Sequence, residues 1–270
     1  MALNKPAQRR LISFVAGLCW LFAFTNTWAA VPNTCRLDYP SDASVPWECY
    51  RIKSGETLAS LFGDQWQNVA RFNRIDQRHV YPGVRIKIPV SLDDIVNFTP
   101  MPRHVSEAED ERKFILIDLS EQFLGAYELG ELKFSMPIAS GNPKQKNDTP
   151  AGDFTITAFH RDHSSSLYKI EKTNTPYPMS YALLFHTARG VRYWLHGRDM
   201  PGFPASHGCI GLYEEVMQQK YYRAPRQALL NDARKLYEWV TELAAEQDDG
   251  KLHRLENGPK VRIIGKAPKG

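Results

Sequence analysis

The residues of this chain best suited to chemistry are Ser206-His207-Gly208-Cys209, with a second His-Gly pair, His196-Gly197, thirteen residues before the cysteine. A cysteine thiol is mostly protonated at neutral pH, so a catalytic one needs a neighbouring base or a positive environment. Either histidine could supply it. His207 stands two residues away, where alternating side chains of an extended segment point the same way. His196 can be returned to Cys209 by the loop Arg198 to Ala205, which holds Gly202 and two prolines. Gly208 permits close backbone approach, so the amides of Gly208 and Cys209 are candidate donors to an oxyanion. Nucleophile, base and oxyanion donors together describe acyl transfer through a thioester. A zinc site would use Cys209, His196 and His207, but no second Cys or fourth ligand stands at ligand spacing. His160 and His163 read as surface residues, and neither metal nor cofactor is expected. The remaining alternative is an inert Cys209 packed as a small hydrophobe.

The other cysteines bear on this choice. Lys5, Arg9 and Arg10 precede an apolar run from Leu11 to Phe24, and Thr27-Trp28-Ala29 closes in a manner suited to cleavage. That is the outline of a secretory signal peptide at 1–29, too short in its apolar part to span a bilayer. Leu18 before Cys19 argues against lipidation. With the leader gone, Cys35 and Cys49 would pair in an oxidising compartment, closing a loop worth ~3 kcal/mol. Cys209 is then left over, which marks a reactive thiol. Cleavage also lowers the net charge of +4 by three, so charge gives no reason to expect nucleic acid as a partner. With 43% apolar and 24% charged residues the chain belongs with folded proteins rather than disordered or fibrous ones.

Two groups of elements must position this chemistry. Over 50–90, Tyr50 to Lys53 alternates as a strand, Thr57 to Phe62 and Trp66 to Phe72 read as helical turns, and Val84 to Pro89 alternates again. The stretches YRIKSGETLASLF, NVARFNRID and VYPGVRIKIP resemble a LysM domain. That resemblance implies a small βααβ unit binding N-acetylglucosamine-containing glycans along Gly55, Glu56, Thr57 and Leu58 and around Ile75 and Asp76. Residues 91–112, with Pro100, Pro102 and a charged run, have the composition of a linker.

From Phe114 the pattern turns to strands, with loops at Gly141 to Pro143 and Asn147 to Gly152. After Cys209 it turns helical, and Leu229, Ala233, Leu236, Val240 and Leu243 predict an amphipathic helix to about Gln247. SGNP at 140–143, TPAGDF at 149–154, GVRYWLHG and GFPASHGCIGL resemble the L,D-transpeptidase (YkuD) catalytic domain. The resemblance implies Cys209 as nucleophile, His196 as its base oriented by the carbonyl of Gly197, and His207, Ser206 and Gly208 shaping the site. It also implies cleavage between the L-centre of the third stem residue, often meso-diaminopimelate, and D-Ala. The acyl group then passes to an amine, as a 3→3 cross-link or a protein attachment. Gly211 departs from the pattern, which has Arg or Asn there; Arg189, Arg192 or Arg198 is placed in sequence to substitute, with Arg198 the candidate substrate-binding residue. The segment 218–257 is long for the family.

The expected architecture is therefore a mostly β catalytic domain at 113–270, an L,D-transpeptidase-like β-sandwich with flanking helices. A LysM unit at 49–90 precedes it, after an N-terminal segment at 30–48 and before the linker at 91–112. Expected partners are peptidoglycan glycan strands and stem peptides, with a wall-attached lipoprotein as one acceptor, in the periplasm and off the membrane once the leader is cleaved. Two alternatives stand beside this: an L,D-carboxypeptidase or amidase-type hydrolase on the same substrate, and a non-catalytic wall-binding scaffold.

Overall fold

The computed structural model describes residues 31–269, so the expected leader lies outside the described residues. Cys35 and Cys49 form a disulfide. The first strand, β1 (Trp47–Arg51), pairs antiparallel with β2 (Arg85–Pro89), and α1 (Leu58–Phe62) and α2 (Trp66–Phe72) lie between them. Helix α1 starts where it does because Thr57 and Ser60 cap one another: each hydroxyl accepts the other's amide, at 3.1 and 2.8 Å. Ile52, Val69, Ala70, Phe72 and Ile86 are buried beneath them.

This unit is not a tethered module. Its apolar core runs on into Ala139, Met200, Tyr213 and Leu230 of the following domain, and Val31–Gly270 cluster as one compact unit. The segment 91–112 also differs from the linker its composition suggests. Met101, Val105 and Ala108 are buried against Phe114, Leu116, Phe123 and Tyr127. Phe98 sits edge-on to both Phe72 and Phe123, with centroids 5.2 and 6.0 Å away. Spaced single apolar residues anchor the segment while the charged run between them stays solvated, and composition averages that pattern away.

The remaining strands are β3 (Phe114–Asp118), β4 (Phe123–Glu128), β5 (Glu131–Pro137), β6 (Gly152–Thr155), β7 (Ala158–His160), β8 (Ser164–Lys169), β9 (Pro176–Pro178), β10 (Ala182–Ala188), β11 (Val191–Arg198) and β12 (Ile210–Tyr213). Helices α3 (Glu215–Tyr222) and α4 (Asp232–Thr241) follow, then β13 (Leu252–Arg254) and β14 (Lys260–Ile264). Two five-stranded sheets form, ordered β12-β11-β10-β7-β13 and β5-β4-β3-β14-β6, and β8-β9 is a separate hairpin. Ile115, Ile117, Leu124 and Met136 from one sheet meet Phe159, Leu183, Leu195 and Leu212 from the other in a shared core, closed by Leu236 and Val240 of α4. Alternation along each strand delivers these residues to one face. Among the described residues no helix is long and apolar enough to cross a membrane.

Three details differ from the sequence expectation. The chain does not turn helical directly after Cys209, because β12 comes first and pairs parallel with β11. The pattern over Asp153 to Phe159 predicts a single strand, but the stretch divides into β6 and β7, which join different sheets. Helix α4 gives way to a 3-10 segment, Glu242–Gln247.

Candidate active site

The parallel register of β11 with β12 assembles the site. Leu195 pairs with Ile210 and His196 with Gly211, so Cys209, directly before β12, comes to lie beside Trp194 in the middle of β11. His196 and Cys209 both line one cavity of about 630 Å³. His196 is buried, and its Nδ1 donates to the carbonyl of Gly197 at 2.8 Å, which leaves Nε2 as the basic nitrogen. Gly197 must be glycine, since a Cβ there would stand 2.6 Å from the Cβ of Glu214.

Burial drives the His196 pKa down to about 3, against the opposing effect of the Gly197 hydrogen bond. Burial also pushes the Cys209 thiol up, opposed by the Trp194 backbone and the Arg198 charge. Both shifts favour a neutral thiol and a neutral imidazole in the same cavity.

The Ser206-His207-Gly208 turn is braced from the Ser140 to Pro143 loop. Ser206 N–H donates to Ser140 O at 3.0 Å, and Asn142 N–H to Ser206 O at 2.9 Å. Thr149 Oγ1 accepts the amide of Gly141 at 2.8 Å and donates to Gly208 O at 2.9 Å. Gly208 has φ +113°, and a Cβ would meet the Tyr193 ring at 2.8 Å, so both conformation and space demand glycine. Its amide differs from the expected oxyanion donor: it is taken up by Ser206 Oγ at 3.0 Å, and Ser206 Oγ itself donates to Cys209 O. His207 is exposed and stacks on Tyr168 of the β8-β9 hairpin, with centroids 4.2 Å apart. It forms part of the cavity wall, while His196 is the buried histidine of the same cavity.

Gly211 now has a physical reason. A Cβ at 211 would lie 1.8 Å from Cδ and 2.1 Å from Cγ of Arg198: the Arg198 side chain crosses the space that a residue at 211 would fill. The guanidinium reaches the cavity from β11 instead of β12. Arg189 and Arg192 do not line it.

The expected glycan residues fall differently. Gly55 and Thr57 are exposed and Glu56 half-buried, with Glu56 accepting from Lys53 N–H and Tyr50 OH at 2.7 and 2.8 Å. Leu58, Ile75 and Asp76 are buried. Ile75 bridges to Pro201, and Asp76 accepts from the amides of Met200 (2.6 Å) and His79 (2.9 Å) and from Gln218 Nε2 (2.9 Å). That edge is covered by the loop joining the two halves of the cysteine motif, so Ile75 and Asp76 cannot meet a sugar. Sequence reasoning also missed Thr149, Tyr168, Tyr177, Asp199 and Arg78. TPAG had marked Thr149 as part of a pattern without a role. Arg78 meets Asp199 from 121 residues away, and nothing local announces it. Among the described residues no cluster of His, Cys, Asp or Glu could hold a metal ion.

A strand-paired His-Gly and a Ser-His-Gly-Cys thus open on one cleft of a two-sheet domain. The L,D-transpeptidase catalytic-domain (YkuD) family model matches residues 112–263, and the chain belongs to that family. Similar solved structures include an L,D-transpeptidase from Stackebrandtia nassauensis, 19% identical, with TM-score 0.46, covering 79% of this chain and 89% of that one. An L,D-transpeptidase mutant from Enterococcus faecium is 22% identical, with TM-score 0.35, covering 57% of this chain and 50% of that one. One from Mycobacterium tuberculosis is 17% identical, with TM-score 0.35, covering 57% of each chain. The match thus spans about half the length of several of these relatives. No curated protein matches the chain.

Proposed function

We propose that this protein is an exported cysteine L,D-transpeptidase acting on peptidoglycan stem peptides. The observation that carries the reading is the buried His196, its Nδ1 committed to Gly197 O, sharing a cavity with Cys209. Cys209 Sγ attacks the carbonyl carbon of the third stem residue while its proton passes to His196 Nε2. The tetrahedral intermediate collapses as the C–N bond breaks, and the proton goes from His196 to the departing amine of the D-residue. An acceptor amine then attacks the thioester, gives a proton to His196 and releases the Cys209 thiol. The acceptor is a diaminopimelate side chain or a protein lysine; water in its place makes the enzyme a carboxypeptidase. The disulfide between Cys35 and Cys49 supports export into an oxidising compartment such as the periplasm.

The 47–89 unit is read as LysM-like in its strand–helix–helix–strand order. With Ile75 and Asp76 buried, its proposed role is to brace the catalytic loop rather than to grip glycan through that cleft. Mass spectrometry of tetrapeptide muropeptides incubated with the protein, with and without an added amine, tests the function. Wild type is expected to yield amine adducts, and Cys209→Ala none. Continued turnover by Cys209→Ala would sink the thioester, and tripeptide product alone, with amine present, would make the enzyme a hydrolase.

A further inference from the structure

The cavity holds cationic chemistry that the thioester mechanism does not use. Arg198 forms no ion pair among the described residues, and its one hydrogen bond runs from Nε to Asp199 O at 3.0 Å. Both terminal nitrogens of its guanidinium are left without a protein partner while the group lines the cleft. The adjacent Asp199 carboxylate attracts it through space but forms no direct bond to its terminal nitrogens, its oxygens being engaged by Tyr177 OH, by Arg78 Nη2 at 2.9 Å and by His79 Nε2 at 3.5 Å. Arg78 comes from the 47–89 unit, lies 4.3 Å over the Tyr222 ring, and has a buried Nε with no partner. Lys169 and Lys172 add to the same lining, against Glu171 and Asp199 as its acidic members. A cleft walled in this way favours an anion, and a guanidinium with two free terminal nitrogens matches a carboxylate.

We propose that Arg198, supported by Arg78 from the 47–89 unit, is the specificity residue that reads a carboxylate of the donor stem peptide, in the place that Gly211 leaves empty. This rests on the functional reading above. Two donor carboxylates have the right chemistry: the terminal one of the departing D-residue, two bonds beyond the scissile nitrogen, and the side-chain one of the third residue. The overlap at Gly211 means that one guanidinium, not two, can occupy this space. The 47–89 unit thereby becomes a wall of the catalytic cleft.

The test uses the full mature chain and three tetrapeptide donors: one with both carboxylates free, one ending in a D-alaninamide, and one amidated on the third residue's side chain. Wild type is expected to prefer a free carboxylate at one of these positions by ten- to a hundredfold in kcat/KM, on the order of a charged hydrogen bond. Arg198→Gln should erase that preference and thereby identify which carboxylate is read. Arg198→Lys should restore part of it, which also controls for folding, and Arg78→Gln should narrow it. An active Arg198→Gln that keeps the wild-type ratios on all three donors overturns the inference alone. Wild type inert on every donor overturns the functional reading and the inference with it.

Discussion

Gly211 and Arg198 compete for one space in the cleft: the arginine side chain passes where a residue at 211 would stand. Position 211 pairs with His196 across β11 and β12, and Arg198 lies two residues further along β11. A side chain at either place projects into the same volume, so filling both is sterically forbidden. Gly211→Ala is therefore expected to displace the Arg198 side chain, because the new Cβ would sit 1.8 Å from its Cδ. The arginine can escape by changing rotamer, so the cost should fall on catalysis more than on folding, at roughly tenfold in kcat/KM. In an Arg198→Ala background the same substitution should cost almost nothing further. A double-mutant cycle on kcat/KM checks this, and additive effects would show that the two positions do not interact. That His196 and Cys209 would come to one cleft was legible in the sequence. The overlap at 211 was not: sequence singles out Arg198 among three nearby arginines for substrate binding, but only the parallel register and the side-chain path show that it fills the space at 211.

At the scale of elements, the loop between the two motif halves owes its shape to a distant part of the chain. Asp76, just before Arg78, is fully buried and holds Met200, His79 and Gln218 at once, so it pins that loop and α3 together. Asp76→Ala strands three donors in the interior and should cost about 3 kcal/mol. Chemical denaturation reads the stability, and a loss under about 1 kcal/mol would mean that solvent replaces the carboxylate. Because Arg78 moves with Asp76, kcat/KM should fall further than Tm alone predicts at temperatures where the variant remains folded. Much at this scale was visible beforehand: the strand–helix–helix–strand order, the run of strands from Phe114, and the amphipathic α4. The misses share a cause. Ile210 to Tyr213 is too short to distinguish a buried strand from the start of a helix by period. The β8-β9 hairpin pairs polar, largely exposed residues, which give no alternation to read. Residues 91–112 look like a linker because their apolar anchors are sparse.

Over the whole molecule, buried titratable groups of opposite kinds set the range of pH in which the fold is stable. Burial lowers His196 to about 3, and lowers to about 4 His163, which is not the surface residue its sequence suggests because it packs on Trp194. Both are neutral in the folded and unfolded chains above pH 6.5, so their full contribution is present there. As pH falls from 6.5 towards 3, the unfolded chain takes up protons that the folded one refuses, and stability is lost. Glu214 works in the other direction. Burial raises it to about 7, and one of its oxygens has no hydrogen-bond partner. The unfolded chain ionises this residue near pH 4.5 while the folded chain holds its proton, so stability falls as pH rises from 4.5 through 7. Around Glu214, the charges of Arg234, Asp232 and Glu215 bear on it, and its Cβ packs where Gly197 leaves room. Glu214→Gln keeps the shape and removes the titration. Its Tm should match wild type near pH 4.5 and exceed it above pH 7, by the equivalent of about 3 kcal/mol. Thermal unfolding across pH 4 to 9 checks the sign as well as the size. Parallel curves for the two proteins would show that Glu214 is already ionised in the fold, and a fall confined to the acid side would assign the whole pH dependence to the histidines.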